Sequence, residues 1–414
     1  MRRNNSASLP PEQDVRMTFH PDPVACEASP RTPAIALAAL GAAYFLIGVA
    51  SLGAVGMVVE MSAALDVAPS AIAGLVTVFA LLYAVAAPAA QTLIGHVARR
   101  DVIAGGLLCV AAGCALSAVA QDYETVVASR LIMAVGAAAT GPTLTAAAAS
   151  MVPAEDRARA LAIVFGGMSI ASVAGIPLAS QLAQSFGWRW AWGALAVAAV
   201  LAAPVIRGML PAANRGARAS LAALGEVLGD RTAAMTIAVT GLAITAQFST
   251  YALVAIWLVE AADQPVGLIP PALLACGLGG VIGNVCGAMS SRAFGESVTC
   301  MICLLGSLAC MISMPVAAGH PAAALTVLAL WSGLSMGYMA PVQSLLVAQT
   351  GDRAPLALAL NGSAVYLGMA GGSVVAAVGY EALGAAPLPL VSATVMLAPV
   401  ALYILAARSR RRAA

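Results

Sequence analysis

The sequence predicts an all-α membrane protein in which twelve transmembrane helices form two bundles of six. Of the 414 residues, 61% are hydrophobic and only 9% are charged, and the mean hydropathy is +0.93. Soluble domains carry about 25% charged residues, so this composition excludes a soluble enzyme. A formal net charge of +2 provides no basic surface for nucleic acid, and we expect no nucleic-acid partner.

Twelve hydrophobic runs are long enough to cross a bilayer, which takes about 20 residues of α-helix. A transmembrane β-barrel would instead show segments of about ten residues with alternating hydrophobicity, and no run alternates. Charged residues, Pro or Gly separate the runs. The predicted helices cover residues 34–58, 70–93, 102–120, 124–150, 160–184, 190–208, 232–259, 267–289, 298–318, 321–347, 355–379 and 386–407.

The order of these runs divides the chain into two halves. Residues 34–208 form the first six-helix bundle, residues 232–407 form the second, and a cytoplasmic loop at 209–231 joins them. Residues 1–33 contain Arg, Pro and acids without an apolar run, which predicts a disordered cytoplasmic tail rather than a cleaved signal peptide. Residues 408–414 form a basic cytoplasmic tail.

The basic residues mark one side of the membrane. All 20 are Arg, and 18 of them lie in the tails or at the connections on a single side. Arg189 alone lies on the opposite side, and Arg130 lies within a span. Because Arg accumulates in cytoplasmic loops, we expect a multi-pass protein of the bacterial inner membrane with both termini in the cytoplasm.

The cysteines do not predict a metal or redox site. Cys300 and Cys303 form a CxxC pair, but it lies in a continuous hydrophobic run with no His or second pair nearby. Residues three apart simply share a helix face. We therefore expect packed or lipid-facing thiols, and no metal.

Several segments carry charged or small residues that a plain hydrophobic span does not need. Gly95, Arg99, Arg100 and Asp101 follow the second span. Arg130 opens a run of small residues in the fourth span, where a charge costs at least ~2.5–3.5 kcal/mol. Further segments of this kind are Gly175-Ile-Pro177 in the fifth span, Gly277–Gly287 in the eighth and Asn361–Gly372 in the eleventh.

In order and spacing, these segments resemble the motifs of the major facilitator superfamily, and most closely those of the sugar and nucleoside efflux branch of its drug:proton antiporter-1 family. The resemblance spans about residues 40–405. It implies two six-helix halves with the substrate bound between them near the middle of the membrane. It also implies that helices 2, 5, 8 and 11 meet at the seam between the halves, and that one chain suffices, so we expect a monomer.

The resemblance further implies residues that control the conformation. The charged loop after the second span corresponds to a latch, although Arg99 stands where the family has Asp. Alternatively, these Arg residues serve only as topological anchors, which keep the loop on the cytoplasmic side of the membrane. Gly and Pro bend the fifth helix, and small residues every four positions let helices approach closely at the seam. The residues assigned to this group are Gly95, Arg99, Arg100, Asp101, Gly175, Pro177, Gly279, Gly283 and Gly287.

By the same resemblance, helices 1, 4, 7 and 10 line the substrate cavity. Hydroxyl groups there have the alternative of bonding to their own helix backbone, whereas a primary amide is hard to satisfy within its own helix. Arg130 has the alternative of reaching to the membrane interface. The residues predicted to contact substrate are Tyr44, Ser51, Arg130, Gln247, Tyr251, Trp331, Gln343 and, on helix 11, Asn361.

The predicted function is export of a small neutral or anionic molecule, such as a sugar, nucleoside or drug, by alternating access. The family implies proton antiport, with the proton gradient as energy source and no cofactor. No Asp, Glu or His lies in the middle of a span, where a proton carrier is normally found. Glu60 and Asp101 are the remaining candidates for proton coupling.

Three alternatives remain open. The missing membrane acid favours an uncoupled facilitator or importer of the same fold. A polytopic membrane enzyme would need a catalytic group of His, Asp or Glu, and the three His residues are dispersed. A sensor built on this fold would be expected to carry an added soluble domain.

Overall fold

The structure is a computed structural model that describes residues 31–211, 225 and 227–413. The predicted disorder of the N-terminal tail and most of the predicted central loop fall outside these residues. The first helix begins at Arg31, slightly before the predicted boundary. The last helix continues to Ala413, so the described part of the predicted basic tail is helical.

Twelve helices in the described part of the chain are long and apolar enough to cross a membrane, and this confirms the predicted fold class. Their ends agree with the predicted runs to within a few residues. The spans are α1 (Ala34–Gly56), α2 (Pro69–Leu93), α3 (Arg99–Val119), α4 (Tyr123–Ser150), α5 (Arg159–Phe186), α6 (Trp188–Met209), α7 (Arg231–Ala261), α8 (Val266–Phe294), α9 (Glu296–Ala317), α10 (Pro321–Thr350), α11 (Leu356–Leu383) and α12 (Leu388–Ala406).

The two halves pack their helices in the same way. In the first half α3 packs against α4 and α6, and α1 packs against α5. In the second half α9 packs against α10 and α12, and α7 packs against α11. Each contact therefore recurs six helices later, as expected for two bundles of the same design.

Local sequence signals explain where several helices begin. The Asp122 carboxylate accepts a 2.7 Å hydrogen bond from the backbone N–H of Thr125 and so caps α4. Asp230 caps α7 in the same way. Single glycines, Gly187 and Gly295, form the whole connection between α5 and α6 and between α8 and α9. Both have positive φ, +95° and +82°, which glycine adopts without a steric cost.

Two spans are broken near the same end of the bundle. The helix of α1 stops at Gly56 and resumes as a short segment, Val58–Leu65. The helix of α7 is interrupted at Ala252 and Leu253 and then continues through a π-helical turn. A second π-helical turn, Ala171–Gly175, interrupts α5. The turn ends at Gly175 and Pro177 lies two residues later, so the predicted irregularity of the fifth helix lies at the expected position.

The seam between the halves is formed by α2 with α11 and by α5 with α8, as predicted. The Ser373 hydroxyl donates to the carbonyl oxygen of Ala73 at 2.5 Å across the first pair. In the second pair, Gly277 lies against the backbone of Ser172, where an added Cβ would overlap the carbonyl oxygen. Close backbone approach at the seam thus depends on Gly277.

The predicted seam role of three other glycines of α8 was wrong. Cβ atoms added at Gly279, Gly283 and Gly287 would overlap the carbonyl oxygens of α10, within the second half. Gly368 and Gly372 of α11 likewise face α7, and Gly167 and Gly175 of α5 face α1. A repeat of small residues every four positions identifies a close helix contact but not the partner helix. The partner depends on the rotation of each helix about its axis. The α8–α10 carbonyls belong to Ala329, Gly333 and Gly337.

Candidate functional site

The halves are joined towards one end of the bundle. We call this the Arg-poor end, and the opposite end, which carries Arg99, Arg157 and Arg353, the Arg-rich end. The bonds and ring contacts that join α2 to α11 run from Ala73 and Ser373 to Tyr83 and Tyr366, at mid-span. α8 packs against the part of α5 that lies nearer the Arg-poor end. From this one-sided distribution of contacts we infer that the space between the halves opens towards the Arg-rich end.

The ends of α1 and α7 meet where this space is closed. Residues 254–256, directly after the break in α7, pack against Val58–Leu65, directly after the break in α1. The amide of Gln184 in α5 donates to the carbonyl oxygen of Val266 in α8 at 3.2 Å on the same side. Breaks in two helices from different halves thus bring their ends together over the cleft.

A cluster of three tyrosines lies at mid-span where the cleft ends. Tyr83 of α2 and Tyr366 of α11 stack across the seam, with ring centroids 3.7 Å apart and an interplanar angle of 21°. The third ring, Tyr44 of α1, is partly accessible and lies 5.6 Å from the ring of Phe165 in α5. Of the three, only Tyr44 was predicted as a cavity residue. Tyr83 and Tyr366 were missed because α2 and α11 were assigned to the seam, with Asn361 as the single predicted substrate contact on either helix.

A second polar and aromatic cluster lies between α7 and α10 and includes three predicted residues. The rings of Tyr251 and Trp331 lie 6.4 Å apart, and Gln247 is one helical turn from Tyr251. Gln247 Oε1 and Trp331 Nε1 are buried without a hydrogen-bond partner in the described residues, and so is the Tyr338 hydroxyl. Buried polar groups are normally paired, so these atoms are available to a ligand.

Arg130 is fully buried, but its guanidinium is already engaged. Nη2 donates to the carbonyl oxygen of Ser51 at 2.6 Å, and Nη1 donates to that of Ala50. Nε donates to the carbonyl oxygen of Leu75 at 3.4 Å. The guanidinium carbon also lies 4.8 Å from the ring centre of Phe79, within cation–π range. Arg130 thus joins α4 to α1 and α2 rather than reaching to the membrane interface.

The predicted latch residues are bonded within the first half. Arg99 donates to the carbonyl oxygen of Ala146 in α4 at 3.0 Å. Asp101 accepts from Arg207 Nε of α6 at 2.7 Å, and Arg100 Nε lies 3.8 Å from the same carboxylate oxygen. These contacts tie α3 to α4 and α6. Their role in switching between conformations stays a prediction.

Glu60, a candidate for proton coupling, lies in the short segment after the break in α1. Both carboxylate oxygens are buried and have no hydrogen-bond partner in the described residues. Burial raises the pKa of this carboxyl, because the charged form loses its hydration. The start of α2 from Pro69 to Val76 and residues 254–256, which pack against this segment, carry no titratable side chain. Along the chain, the acid nearest to Glu60 is Asp66.

The remaining predicted residues are dispersed. Ser51 is buried, and its carbonyl is the one bound by Arg130. Asn361 is also buried, and its Oδ1 has no partner in the described residues. Gln343 is exposed in the Arg-rich half of α10. Gly95 lies in the turn before α3, beside a small cavity that Gln91, Arg99 and Thr143 also line.

The described residues do not assemble a metal site. They contain no group of three or more His, Cys, Asp or Glu side chains that could hold a metal ion. Cys300 and Cys303 form no disulfide and are buried between helices. The pair therefore packs as the sequence predicted.

Comparison with known proteins agrees with this architecture. A sequence profile for the Major Facilitator Superfamily matches residues 40–373. The inner membrane transport protein YdhP of Escherichia coli (strain K12) is 26% identical over 380 residues, which are 90% of this chain and 96% of that protein. A chloramphenicol resistance protein of Streptomyces lividans is 28% identical over 355 residues, which are 83% of this chain and 87% of that protein.

A solved structure shares the fold. It is a bacterial homolog of the human lysosomal transporter Spinster, in an inward-facing and unoccupied conformation, and it superposes with a TM-score of 0.67. The alignment covers 92% of this chain and 96% of that chain, at 15% sequence identity. At this identity the likeness concerns the fold alone.

Proposed function

Since the chain belongs to the major facilitator superfamily and is a membrane transporter, we propose that it exports a small uncharged molecule from the cytoplasm by alternating access. The observation that carries this proposal is the one-sided joining of the halves. Their contacts lie between mid-span and the Arg-poor end, and the cleft faces the Arg-rich end. Rocking about the seam would close this end and open the other.

The direction of export rests on charge and on relatives. Arg residues accumulate in cytoplasmic loops, so we assign the Arg-rich end and both termini to the cytoplasm of a bacterium. The cleft then loads from inside the cell. A relative named as a chloramphenicol resistance protein supports efflux of a small molecule.

The charge of the cargo follows from Arg130. It is the one fully buried cation among the described residues, and three backbone carbonyls already occupy its guanidinium. An anionic cargo would find no free buried positive charge there, and its desolvation would go uncompensated. We therefore favour a neutral cargo over the anionic alternative.

We propose that export is coupled to protons through Glu60. Burial without a hydrogen-bond partner in the described residues favours the protonated form of this carboxyl. Separation of the segment Val58–Leu65 from residues 254–256 would hydrate the carboxylate and let it take up a proton from the Arg-poor side. Cargo that binds in the cleft would release this proton towards the Arg-rich end, so that proton and cargo cross the membrane in opposite directions. Protonation would then favour closure of the Arg-poor end, and deprotonation would favour its opening.

The second candidate function is uncoupled facilitated diffusion. It is favoured by the position of the acids, since no Asp or Glu lies in the middle of a described span. The two candidates share the fold and the cleft. They differ only in whether a pH gradient drives the cargo.

The test is cargo flux into inside-out vesicles with and without a pH gradient. Labelled pentose, nucleoside and phenicol would be supplied to the wild type, Glu60→Gln and Glu124→Gln, the last an exposed acid at the same end. We expect gradient-driven uptake that is lost in Glu60→Gln and kept in Glu124→Gln. Uptake that ignores the gradient would favour the facilitator, and gradient-driven uptake in Glu60→Gln would remove Glu60 as the carrier.

A further inference from the structure

We infer that Tyr44, Tyr83 and Tyr366 form a tyrosine floor at the end of the cleft, which binds a flat uncharged ring of the cargo. The inference rests on the proposed transport function and specifies its cargo. Tyr83 and Tyr366 lie on α2 and α11, so the site belongs to the seam as well as to the cavity helices.

The position of the tyrosine floor is set by the contacts across the seam. From the Arg-poor end, these are the bond from Ser373 to Ala73, the bond from Thr77 to the Ala370 carbonyl at 3.4 Å, and the Tyr83–Tyr366 stack. The stack is the last of this series towards the Arg-rich end. A cargo that enters the cleft from that end meets these rings at mid-span.

The rings present surfaces suited to stacking. Tyr83 continues into a second ring contact with Phe79, at 6.2 Å and 19°. Tyr83 is buried, whereas Tyr44 and Tyr366 keep part of their surface accessible. Aromatic faces attract other flat rings in offset or tilted arrangements. The accessible surfaces of Tyr44 and of Tyr366, one ring of the stacked pair, therefore form a platform for a ring of the cargo.

Helix α4 leaves room for the phenol groups. A Cβ added at Gly141 would lie 2.6 Å from the Tyr83 hydroxyl oxygen, so only glycine fits at this distance. The hydroxyl of each tyrosine both donates and accepts hydrogen bonds. In the separate cluster between α7 and α10, Gln247 Oε1 is a buried acceptor and Trp331 Nε1 a buried donor, both without a partner in the described residues.

The chemistry of these groups excludes a charged ring. Phenols, an amide and an indole offer neutral hydrogen bonds only, and no acid lies in the middle of a described span. Arg130 is bound to backbone carbonyls. A carboxylate or ammonium would lose its hydration without an opposite charge to replace it. The cargo class is thus a neutral flat ring with hydrogen-bonding substituents.

The experiment is equilibrium binding to the full chain in lipid nanodiscs, without any flux. Labelled uridine and chloramphenicol serve as neutral flat-ring probes, xylose as a probe without a flat ring, and benzoate as a charged ring. The variants are Tyr366→Leu, which removes the ring, and Tyr366→Phe, which removes the hydroxyl only. Tyr403→Phe is the matched control, because Tyr403 lies in α12 and bonds to the Ser297 carbonyl away from the seam.

We expect a flat-ring probe to bind the wild type and Tyr403→Phe equally, and xylose and benzoate to bind at least about tenfold more weakly. Tyr366→Leu should lose about tenfold in affinity and Tyr366→Phe less. Should Tyr366→Leu fail to fold, Tyr44→Leu provides the same comparison. Failure of both flat-ring probes to bind, or equal binding by the Leu variants, would overturn the inference.

The proposed function fails separately. If the protein binds a flat ring at Tyr366 but moves no cargo in vesicles, the tyrosine floor is supported and the transport proposal is contradicted. If a pH gradient drives xylose flux and Tyr366→Leu leaves that flux unchanged, the transport proposal is supported and the tyrosine floor is overturned.

Discussion

The guanidinium of Arg130 donates a 2.6 Å hydrogen bond to the backbone carbonyl of Ser51, and this bond fixes α4 to α1 shortly before the break in α1. The neighbouring Ala50 carbonyl is bound by the same side chain. A buried charge in a membrane protein is usually read as part of a substrate or ion path. Here its donors go to the backbone, so Arg130 acts as an anchor between helices.

Loss of this anchor should lower stability before it affects cargo binding. Hydrogen bonds to charged groups contribute about 1.5–3 kcal/mol each, so Arg130→Ala should reduce the free energy of unfolding by more than about 2 kcal/mol. Arg130→Lys should restore little, because an ammonium lacks the planar fork that reaches two helices. Thermal unfolding in detergent measures this. Arg189→Ala, which removes bonds to one carbonyl only, is the control and should cost less.

A result against the anchor would be an Arg130→Ala protein that unfolds like the wild type but no longer binds cargo. That outcome would support the predicted role of Arg130 as a substrate-contacting residue.

Gly283→Ala should destabilise the second half. An added Cβ overlaps the Gly333 carbonyl of α10, and overpacking of this kind typically costs about 1–3 kcal/mol. Gly105→Ala has open space around it and should be neutral or slightly stabilising. Denaturant or thermal unfolding of the two variants tests the assignment. Equal stability would mean that α8 and α10 are less tightly packed than the structure describes.

Gly277→Ala should shift the conformation rather than unfold the protein. The overlap it creates is with the Ser172 backbone across the seam, between the two halves. The halves can relieve it by separating towards the Arg-poor end. Spin labels at the exposed residues Ala63 and Asp263, one in each half, should move further apart in this variant. An unchanged distance together with a lower melting temperature would contradict the prediction.

The same spin labels should report the protonation of Glu60. Its pKa is raised by burial, so the neutral form favours the closed Arg-poor end, and this contribution is complete at low pH. As the pH rises through the raised pKa, the carboxyl ionises and closure is weakened. We expect the distance to increase with pH in the wild type and in Glu124→Gln, but to stay short in Glu60→Gln. A pH response retained in Glu60→Gln would assign the sensor to another group.

Asp101 should contribute little to either stability or coupling. Its pair with Arg207 is at 2.7 Å, but the two side chains are 36% and 60% exposed. Exposed ion pairs contribute about 0.2–1 kcal/mol, so Asp101→Asn should reduce stability by less than about 1 kcal/mol. The pH dependence of transport should be unchanged. Loss of gradient-driven uptake in Asp101→Asn would make Asp101 the proton carrier instead of Glu60.

The candidate site was only partly predictable from the sequence. Gln247, Tyr251 and Trp331 were predicted because polar and aromatic residues are conspicuous in helices expected to line a cavity, and the structure brings them together. Tyr83 and Tyr366 were equally conspicuous, but nothing local indicates that residues so far apart in the chain stack on each other. The engagement of Arg130 by backbone carbonyls has no sequence signal, because every residue carries a carbonyl.

The sequence by itself determined the number of spans, their limits and the separation of charge between the two ends. These follow from the transfer of each segment between water and lipid, which depends on local composition alone. The tertiary structure decided which helix each glycine of α8 contacts and which carbonyls accept the hydrogen bonds of Arg130. It also decided that Tyr83 stacks on Tyr366 at the end of the cleft. Those relationships depend on the rotation and crossing of helices distant in the chain, which only packing of the complete bundle fixes.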